Sequence, residues 1–476
     1  MSFKPRDYQE PFLDAFLPII HNWETAPIKR GILVWHRRAG KDMTALNFAE
    51  TAMKTRSGTY FHFLPTYTQA KKIIWDGKDK QGRPFLANFD QGLITAKHET
   101  ELKITYGPTD KAPYGSIYQL VGGDQIDTIV GTNPVGVVFS EFPLMNPKAW
   151  DLVRPILREN GGWALFIFTP RGKNHAHKLW AGTRNNPSWF RSMLTVDDTG
   201  IVTPDEIEDE RTSGMSEELI QQEYFCSFEG AMEGAYYADQ LARIEAAGQI
   251  GSVPYDPAYP VDTAWDLGVN DEMSIWFTQH VGSNRLHVID YMEGSSKGLD
   301  FYIHELRNRP YQYGRHYAPH DISHRELTSG NTRAQIVARE HGLYFDAQPK
   351  LAFQDGIEAT RRLLPLSWFD AVKCERGIDA LRTYRREKDE KMGTFKDSHV
   401  HDWASNGADA FRTRAVAWRS VIGGNRDAFA DIRYRLHQRH KDPSEKADIA
   451  WKRDVAPEAR GVEVEADYGS NWWGNE

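Results

Sequence analysis

The residues best suited to do chemistry lie near the amino terminus, in the stretch 35–42 (WHRRAGKD). This stretch stands between an apolar run at 31–35, which predicts a buried strand, and a helical pattern over 43–53. Backbone N–H groups at such a helix start can cradle phosphates, and a lysine there can reach the outer phosphates. Gly40 and Lys41 therefore supply the core of a phosphate-binding loop.

Two positions depart from the general pattern of such a loop. Trp35 replaces the leading glycine, and Asp42 replaces the Ser or Thr that holds magnesium. A second apolar strand, at 135–139, runs into Ser140 and Glu141, where acidic residues usually bind the metal ion and polarise the attacking water. Glu141 is placed to act as the catalytic base. We interpret Asp42 and Ser140 as one exchange, which keeps a carboxylate and a hydroxyl around the same ion.

Two further segments could complete a nucleotide site. Tyr8 and Gln9 resemble the glutamine motif that reads adenine in related motor ATPases, although a surface glutamine explains Gln9 equally well. The stretch 168–174 (FTPRGKN) follows a strand end, where a loop could sense the terminal phosphate. The residues expected to bind the nucleotide and its metal ion are Gln9, Arg37, Arg38, Ala39, Gly40, Lys41, Asp42 and Ser140.

The elements that must position these residues alternate between strands and helices. Strand patterns in the first half occupy 31–35, 60–64, 135–139 and 163–168. Continuous apolar strands between helices indicate a mainly parallel sheet that is covered on both faces, so the predicted fold class is α/β. Further strand patterns open the second half, at 261–267, 273–280 and 286–292. The expected division is a first domain over 1–235, a linker over 236–257, a second domain over 258–420 and a flexible tail over 421–476.

Length and composition limit the class of protein. A chain of 476 residues with 40% hydrophobic residues exceeds one ordinary domain and can bury two cores. The two cysteines, Cys226 and Cys374, exclude a disulfide framework and a Cys-rich zinc site, which fits a reducing cytosol. We expect a soluble intracellular protein with no membrane partner, because neither a signal peptide nor a run of about 20 apolar residues is found. The formal net charge of -8 does not exclude a nucleic-acid partner, because metal-binding sites collect carboxylates.

Several motifs of the first half together resemble the large terminase subunits of tailed bacteriophages. They are 37–42 (RRAGKD), 63–66 (FLPT) before a helix with Gln69 and Lys71, 140–141 (SE) and 169–172 (TPRG). The resemblance implies a P-loop NTPase domain followed by an RNase H-like nuclease domain, with ATP and Mg²⁺, or Mn²⁺ at the nuclease site, as cofactors. It also makes Arg38 or Arg37 a candidate for stabilising the charge of phosphoryl transfer, although pairing with a nearby acid explains either arginine as well.

Three aspartates of the second half are candidates for the implied nuclease. Two-metal cleavage of a phosphodiester needs carboxylates that converge on ions about 4 Å apart, and oxygen ligands suit Mg²⁺ or Mn²⁺. Asp266 ends the opening strand, and Asp321 stands at another predicted strand end. If 401–412 is a helix, Asp402 and Asp409 share one of its faces. The surroundings of Asp409 (ADA) resemble the last metal carboxylate of the family, so Asp409 is preferred as the third ligand.

Other residues of the second half leave alternatives open. Asp402 or His401 could assist proton transfer, and Asp290 is a further acidic candidate at a strand end. His320 and His324 could suggest zinc, but solvated loop histidines explain them better.

The resemblance implies an enzyme that uses ATP to translocate viral double-stranded DNA into a procapsid and cuts concatemeric DNA as a metal-dependent endonuclease. The implied partners are a portal protein, a small terminase subunit and further copies of the chain in a homo-oligomeric ring. The implied location is the cytoplasm of the infected bacterial host, with transient docking on the procapsid. The alternatives are a DNA helicase or translocase ATPase without nuclease activity, and a packaging scaffold that has lost its ATPase.

Overall fold

The computed structural model of the chain describes residues 3–230, 232–267, 273–282, 284–295, 297–325, 331–389 and 394–422. The predicted tail therefore lies almost wholly outside the described residues. The chain forms two compact units. Unit 1 comprises Met1–Arg243 and Glu375–Ala408, and unit 2 comprises Ile244–Cys374 and the residues from Asp409 onward. The segment 375–408, expected in the second domain, thus belongs to unit 1, and the predicted domain borders stay a prediction.

The strands and helices of the first 250 residues alternate along the chain. The strands are β1 (Arg30–Trp35), β2 (Gly58–Leu64), β3 (Ile94–His98), β4 (Lys103–Tyr106), β5 (Ser116–Gly122), β6 (Pro134–Ser140), β7 (Trp163–Phe168) and β8 (Trp189–Leu194). The helices are α1 (Glu10–His21), α2 (Lys41–Met53), α3 (Tyr67–Ala70), α4 (Lys148–Glu159), α5 (His175–Gly182), α6 (Val196–Thr199), α7 (Pro204–Thr212), α8 (Glu217–Glu223) and α9 (Ala238–Ala246).

The sheet of unit 1 has the strand order β3-β4-β5-β2-β6-β7-β1-β8. The strands from β5 to β8 in this order run parallel, and β4 and β3 add an antiparallel edge. Every residue of β6 and of β7 is buried, because apolar side chains pack on both faces of the sheet. The predicted α/β class with a mainly parallel sheet is therefore confirmed for this unit. The order also brings β1, β7 and β6 side by side, with their carboxyl ends at one edge.

Nine further strands and five further helices follow in the rest of the described chain. The strands are β9 (Ile250–Gly251), β10 (Val261–Asp266), β11 (Met273–Val281), β12 (Arg285–Gly294), β13 (Tyr313–Ala318), β14 (Phe345–Ala347), β15 (Ser367–Asp370), β16 (Arg386–Asp389) and β17 (Thr394–His399). The helices are α10 (Leu299–Asn308), α11 (Arg333–His341), α12 (Phe353–Leu363), α13 (Glu375–Thr383) and α14 (Trp403–Ile422).

The sheet of unit 2 has the order β14-β13-β10-β11-β12-β15-β9. β10, β11 and β12 form an antiparallel meander, and β13 and β14 then continue the sheet parallel to β10 on its other side. This topology is that of an RNase H-like domain, so the predicted fold of the second half is confirmed. α14 packs on one face of this sheet, where Phe411 meets Trp276 with ring centroids 5.3 Å apart.

Candidate functional site

The phosphate-binding loop connects β1 to α2. Two of its residues adopt left-handed backbone conformations, Arg38 at φ 69° and Gly40 at φ 82°. A Cβ on residue 40 would also come within 3.0 Å of the Gln9 amide nitrogen, so glycine suits this position both by conformation and by space. α2 then starts at Lys41, so backbone N–H groups at its N-terminus point out of the helix toward the loop.

The side chain of Lys41 lies where three parallel strands end. Its ammonium donates a hydrogen bond to the hydroxyl of Thr169, just after β7, at 3.0 Å. It also lies 3.6 Å from a carboxylate oxygen of Glu141, just after β6. Since β1 leads into the loop itself, the structure brings together Lys41, Glu141 and the loop at 169–172, as the sequence predicted.

Asp42 and Ser140 are in direct contact. The Ser140 hydroxyl donates to a carboxylate oxygen of Asp42 at 2.5 Å. Glu141, with a left-handed φ of 56°, follows Ser140, and its Oε2 is buried without a hydrogen-bond partner among the described residues. One hydroxyl, one carboxylate and a second carboxylate with an unused oxygen therefore adjoin the lysine, and this donor set fits Mg²⁺. Their roles as metal ligands and base stay predictions.

Gln9 is held against the loop and is only 3% exposed, so the interpretation as a surface glutamine is wrong. Its amide donates to the carbonyl oxygen of Ala39 at 3.2 Å and accepts from the backbone N–H of Arg6 at 3.0 Å. The Tyr8 hydroxyl donates to the same Ala39 carbonyl at 3.0 Å. Tyr8 and Gln9 thus brace the phosphate-binding loop, and the reading of adenine stays a prediction.

The two loop arginines have different surroundings. The Arg37 guanidinium lies 3.9 Å from a carboxylate oxygen of Glu223, a residue that the sequence analysis did not single out. Glu223 also accepts a hydrogen bond at 2.5 Å from Arg171. Arg38 is exposed, and no ion pair with another described residue is found for it. A buried glutamate far along the chain gives no local sequence signal, which is why Glu223 was missed.

Asp266 and Asp321 follow neighbouring parallel strands of unit 2. Asp266 is the last residue of β10, and Asp321 lies in the short 3-10 helix His320–Ser323 that comes after β13. β10 pairs with β13 in parallel, so both aspartates lie at the same sheet edge. The Oδ1 atom of Asp321 is buried without a hydrogen-bond partner among the described residues. An unsatisfied buried carboxylate oxygen is a fitting place for a cation.

α14 lies on the sheet face to which Asp266 belongs. Arg414 donates to the Thr278 hydroxyl at 2.9 Å, and Thr278 pairs with Asp262, on the same face as Asp266. Phe411 lies against Trp276, which is nearer to the Asp266 end of the sheet. Asp409 lies five residues before Arg414, which is about 7.5 Å along α14 at 1.5 Å per residue. This part of α14 is therefore the part nearer to the Asp266 end of the sheet. Asp409 pairs with Arg412 at 3.3 Å on its own helix.

Asp402 lies just before α14 and caps its first turn. Its carboxylate accepts a hydrogen bond at 3.0 Å from the backbone N–H of Ala404 and another at 2.7 Å from Arg385. These contacts account for Asp402 as an N-terminal cap, and a role for it in the nuclease stays a prediction.

Other carboxylates and histidines of unit 2 take different places. The buried Asp290 pairs with the partly exposed Arg309 at 2.7 Å, on the sheet face opposite Asp266. Glu293 was not among the residues predicted from the sequence. It pairs across β12 and β11 with Ser274, and Ser274 pairs with Asp266 of β10. A further carboxylate therefore lies on the sheet at the level of Asp266. His320 and His324 are exposed. Within the described part of the chain no three His, Cys, Asp or Glu side chains are grouped closely enough to hold a metal ion, so the shared metal centre of Asp266, Asp321 and Asp409 stays a prediction.

A buried histidine joins β10, which ends at Asp266, to β13, which precedes Asp321. His316 of β13 lies with Nδ1 2.7 Å from the Thr263 hydroxyl of β10, and that hydroxyl also accepts from the Trp265 indole at 2.7 Å. Burial lowers the pKa of His316 to about 4, so its ring is neutral at pH 7.

Comparisons with known proteins agree with the predicted resemblance. No family model matches the chain. The chain is 25% identical over 314 residues to the terminase large subunit of Escherichia phage T5, covering 63% of this chain and 68% of that protein. The resemblance to large terminase subunits is thus borne out.

Solved structures of large terminases also match. The large terminase of a thermophilic bacteriophage in complex with ADP matches with 15% identity and a TM-score of 0.38, over 86% of this chain and 99% of that one. The ATPase domain of the Thermus phage P74-26 large terminase matches with 20% identity and a TM-score of 0.38, over 48% and 94%. The Mn-bound nuclease domain of the SPP1 large terminase matches with 17% identity and a TM-score of 0.27, over 34% and 86%.

None of the helices in the described ranges combines the length and the apolarity that a membrane span requires.

Proposed function

We propose that the chain is the large subunit of a terminase, which hydrolyses ATP to move viral double-stranded DNA into a procapsid and cuts that DNA with metal ions. The observation that carries the proposal is the position of Lys41 Nζ, 3.0 Å from Thr169 Oγ1 and 3.6 Å from Glu141 Oε1. A lysine, a carboxylate and a hydroxyl at the ends of adjacent parallel strands can grip the phosphates of ATP and orient an attacking water.

In the proposed ATPase, each residue has its own task. Lys41 and the N–H groups of the loop bind the outer phosphates, and Glu141 takes a proton from the attacking water. Asp42 and Ser140 would hold Mg²⁺, which neutralises charge on the phosphates when bound. Arg38, exposed at the rim of the loop, is the proposed stabiliser of charge in the transition state.

In the proposed nuclease, Asp266, Asp321 and Asp409 would hold Mg²⁺ or Mn²⁺. The ions when bound would activate the attacking water and stabilise the leaving oxygen. The shared sheet edge of Asp266 and Asp321, and the course of α14 toward it, support this assignment. Double-stranded DNA, a portal protein, a small terminase subunit and further copies of the chain in a ring are the proposed partners, in the cytoplasm of an infected bacterium.

Two assays on the purified full chain test the proposal. ATP hydrolysis stimulated by double-stranded DNA should be present in the parent protein and lost in Lys41→Ala. Nicking of a supercoiled plasmid with Mn²⁺ should be lost in Asp266→Ala while ATP hydrolysis persists. Hydrolysis without any metal-dependent nicking would favour a translocase without nuclease activity, and the absence of hydrolysis would favour a scaffold.

A further inference from the structure

We propose that Glu223 is a positioning residue of the nucleotide site, which holds Arg171 until the terminal phosphate of ATP takes over the guanidinium. The inference rests on the proposed function, because it adds a regulating contact to the same nucleotide site. Glu223 is the last residue of α8. Its side chain is only 4% exposed, so its charge is almost wholly withdrawn from water.

A carboxylate in this place needs compensation. The last turn of a helix carries partial negative charge on its free carbonyl groups, and a buried anion loses its hydration. The compensation comes from Arg171, whose Nη1 donates to Glu223 Oε1 at 2.5 Å, and from Arg37, whose Nη1 lies 3.9 Å from Oε2. The backbone N–H of Arg37 also donates to the Glu223 carbonyl oxygen at 2.9 Å. Glu223 therefore joins the phosphate-binding loop to the loop after β7.

Arg171 has an unused donor and lies in the loop whose Thr169 contacts Lys41. It stands two residues after Thr169, whose hydroxyl accepts the hydrogen bond from Lys41. Its Nε is buried and has no hydrogen-bond partner within the described part of the chain. A guanidinium binds phosphate through paired N–H groups, so a phosphate oxygen would satisfy this donor and compete with Glu223.

The movement of Arg171 from Glu223 to the terminal phosphate would also affect α8 and the helices packed against it. When Arg171 turns toward phosphate, Glu223 loses its shortest charged contact and α8 is held less firmly to the loop. α6, α7 and α8 share a small core formed by Val196, Ile207, Ile220 and Tyr224. The segment 196–224 would therefore respond as one body to the presence of the terminal phosphate.

Titration calorimetry with ATPγS and with ADP, each with Mg²⁺, tests whether Glu223 and the terminal phosphate compete for Arg171. Glu223→Gln keeps an acceptor for Arg171 but removes the competing charge, and charge-assisted hydrogen bonds are roughly twice as strong as neutral ones. This variant should bind ATPγS about five- to tenfold more tightly, a gain of about 1 to 1.4 kcal/mol by the affinity relation. ADP affinity should stay within about twofold, because ADP lacks the phosphate that competes. Loss of fold lowers both affinities and cannot produce this selective gain.

Two further variants complete the test. Glu229→Gln is the matched control, because Glu229 pairs with Lys173 of the same loop at 2.6 Å but is 77% exposed. It should leave both affinities unchanged. Arg171→Gln should weaken ATPγS about tenfold and leave ADP unchanged, and it serves as the second probe if Glu223→Gln does not fold. In the double variant the gain from Glu223→Gln should vanish.

The outcomes separate the two proposals. If the parent chain binds ATPγS and neither Glu223→Gln nor Arg171→Gln changes the ratio of ATPγS to ADP affinity, the role of Glu223 is refuted and the proposed function stands. If the parent chain binds neither nucleotide, both proposals fail.

Discussion

The contact between Asp42 and Ser140 leads to a prediction at the scale of single residues. Asp42→Ser leaves two hydroxyls and no carboxylate in this pair, so ATP hydrolysis should be abolished, because a proposed ligand of Mg²⁺ is lost. Asp42→Ser combined with Ser140→Asp restores one hydroxyl and one carboxylate, and should recover part of the turnover. Steady-state hydrolysis over a range of Mg²⁺ concentrations measures both. A double variant no better than Asp42→Ser contradicts the exchange.

A second residue-scale prediction separates Asp409 from Asp402. Asp409→Asn should reduce Mn²⁺-dependent plasmid nicking by about 100-fold or more, because it removes a proposed ligand of the ions. Asp402→Ala removes the cap of α14 and the partner of Arg385, and should instead lower the free energy of unfolding by about 1–2 kcal/mol while nicking persists. Nicking and thermal unfolding of both variants decide it. Persistence of nicking in Asp409→Asn would exclude Asp409 from the site.

The sequence predicted those site residues whose role depends on local pattern. Gly40, Lys41, Ser140 and Glu141 follow strands in recognisable order, so their approach to one another could be predicted from the strands alone. Glu223 could not be predicted, because its partners, Arg37 and Arg171, are distant in sequence and its helix has no distinctive pattern.

At the scale of elements, β13 buries a neutral His316 against β10. The pKa of His316 is about 4 in the folded chain and about 6.5 in the unfolded chain. Between pH 4 and 6.5 the imidazole is therefore protonated in the unfolded chain but neutral in the folded chain. The stability that the neutral ring confers is complete above about pH 6.5 and is lost as the pH falls toward about 4. Between pH 6.5 and 5 the loss should be about 2 kcal/mol, at about 1.4 kcal/mol for each unit.

Chemical unfolding at several pH values, with His316→Gln beside the parent, measures this loss. The variant cannot take up the proton, so its stability should fall less steeply between pH 6.5 and 5, although its stability at pH 7 is lower. His304→Gln is a suitable control, since His304 lies on α10 of the same unit and is exposed. Parallel slopes for His316→Gln and the parent would show that His316 does not govern the loss.

Some strands could be predicted from the sequence pattern and others could not. The central strands were predicted to within a few residues, since burial on both faces requires continuous apolar runs. The antiparallel edge of β3 and β4 was not predicted, because its strands are partly exposed and mix polar with apolar residues. The grouping of 375–408 with unit 1 has another origin. It depends on contacts such as that of Lys178 with Asp379 at 3.0 Å, which sequence order does not reveal.

At the scale of the whole molecule, the two proposed active sites draw on separate sets of residues. Lys41, Asp42, Ser140 and Glu141 belong to unit 1, whereas Asp266, Asp321 and Asp409 belong to unit 2. Each unit has its own sheet and its own buried core. A conservative change in one site removes a functional group without opening a cavity, so it should leave the core of the other unit intact.

Glu141→Gln should therefore abolish ATP hydrolysis and leave Mn²⁺-dependent nicking by the full chain within about twofold, since the lost base serves only phosphoryl transfer. Asp266→Asn should do the reverse. ATP hydrolysis and nicking are measured for both variants on the same preparations, without a procapsid. Each variant should lose one activity and keep the other. If Glu141→Gln silences nicking as well, while its thermal unfolding matches that of the parent, cutting depends on the nucleotide cycle. The ATPase and nuclease activities would then be coupled rather than independent.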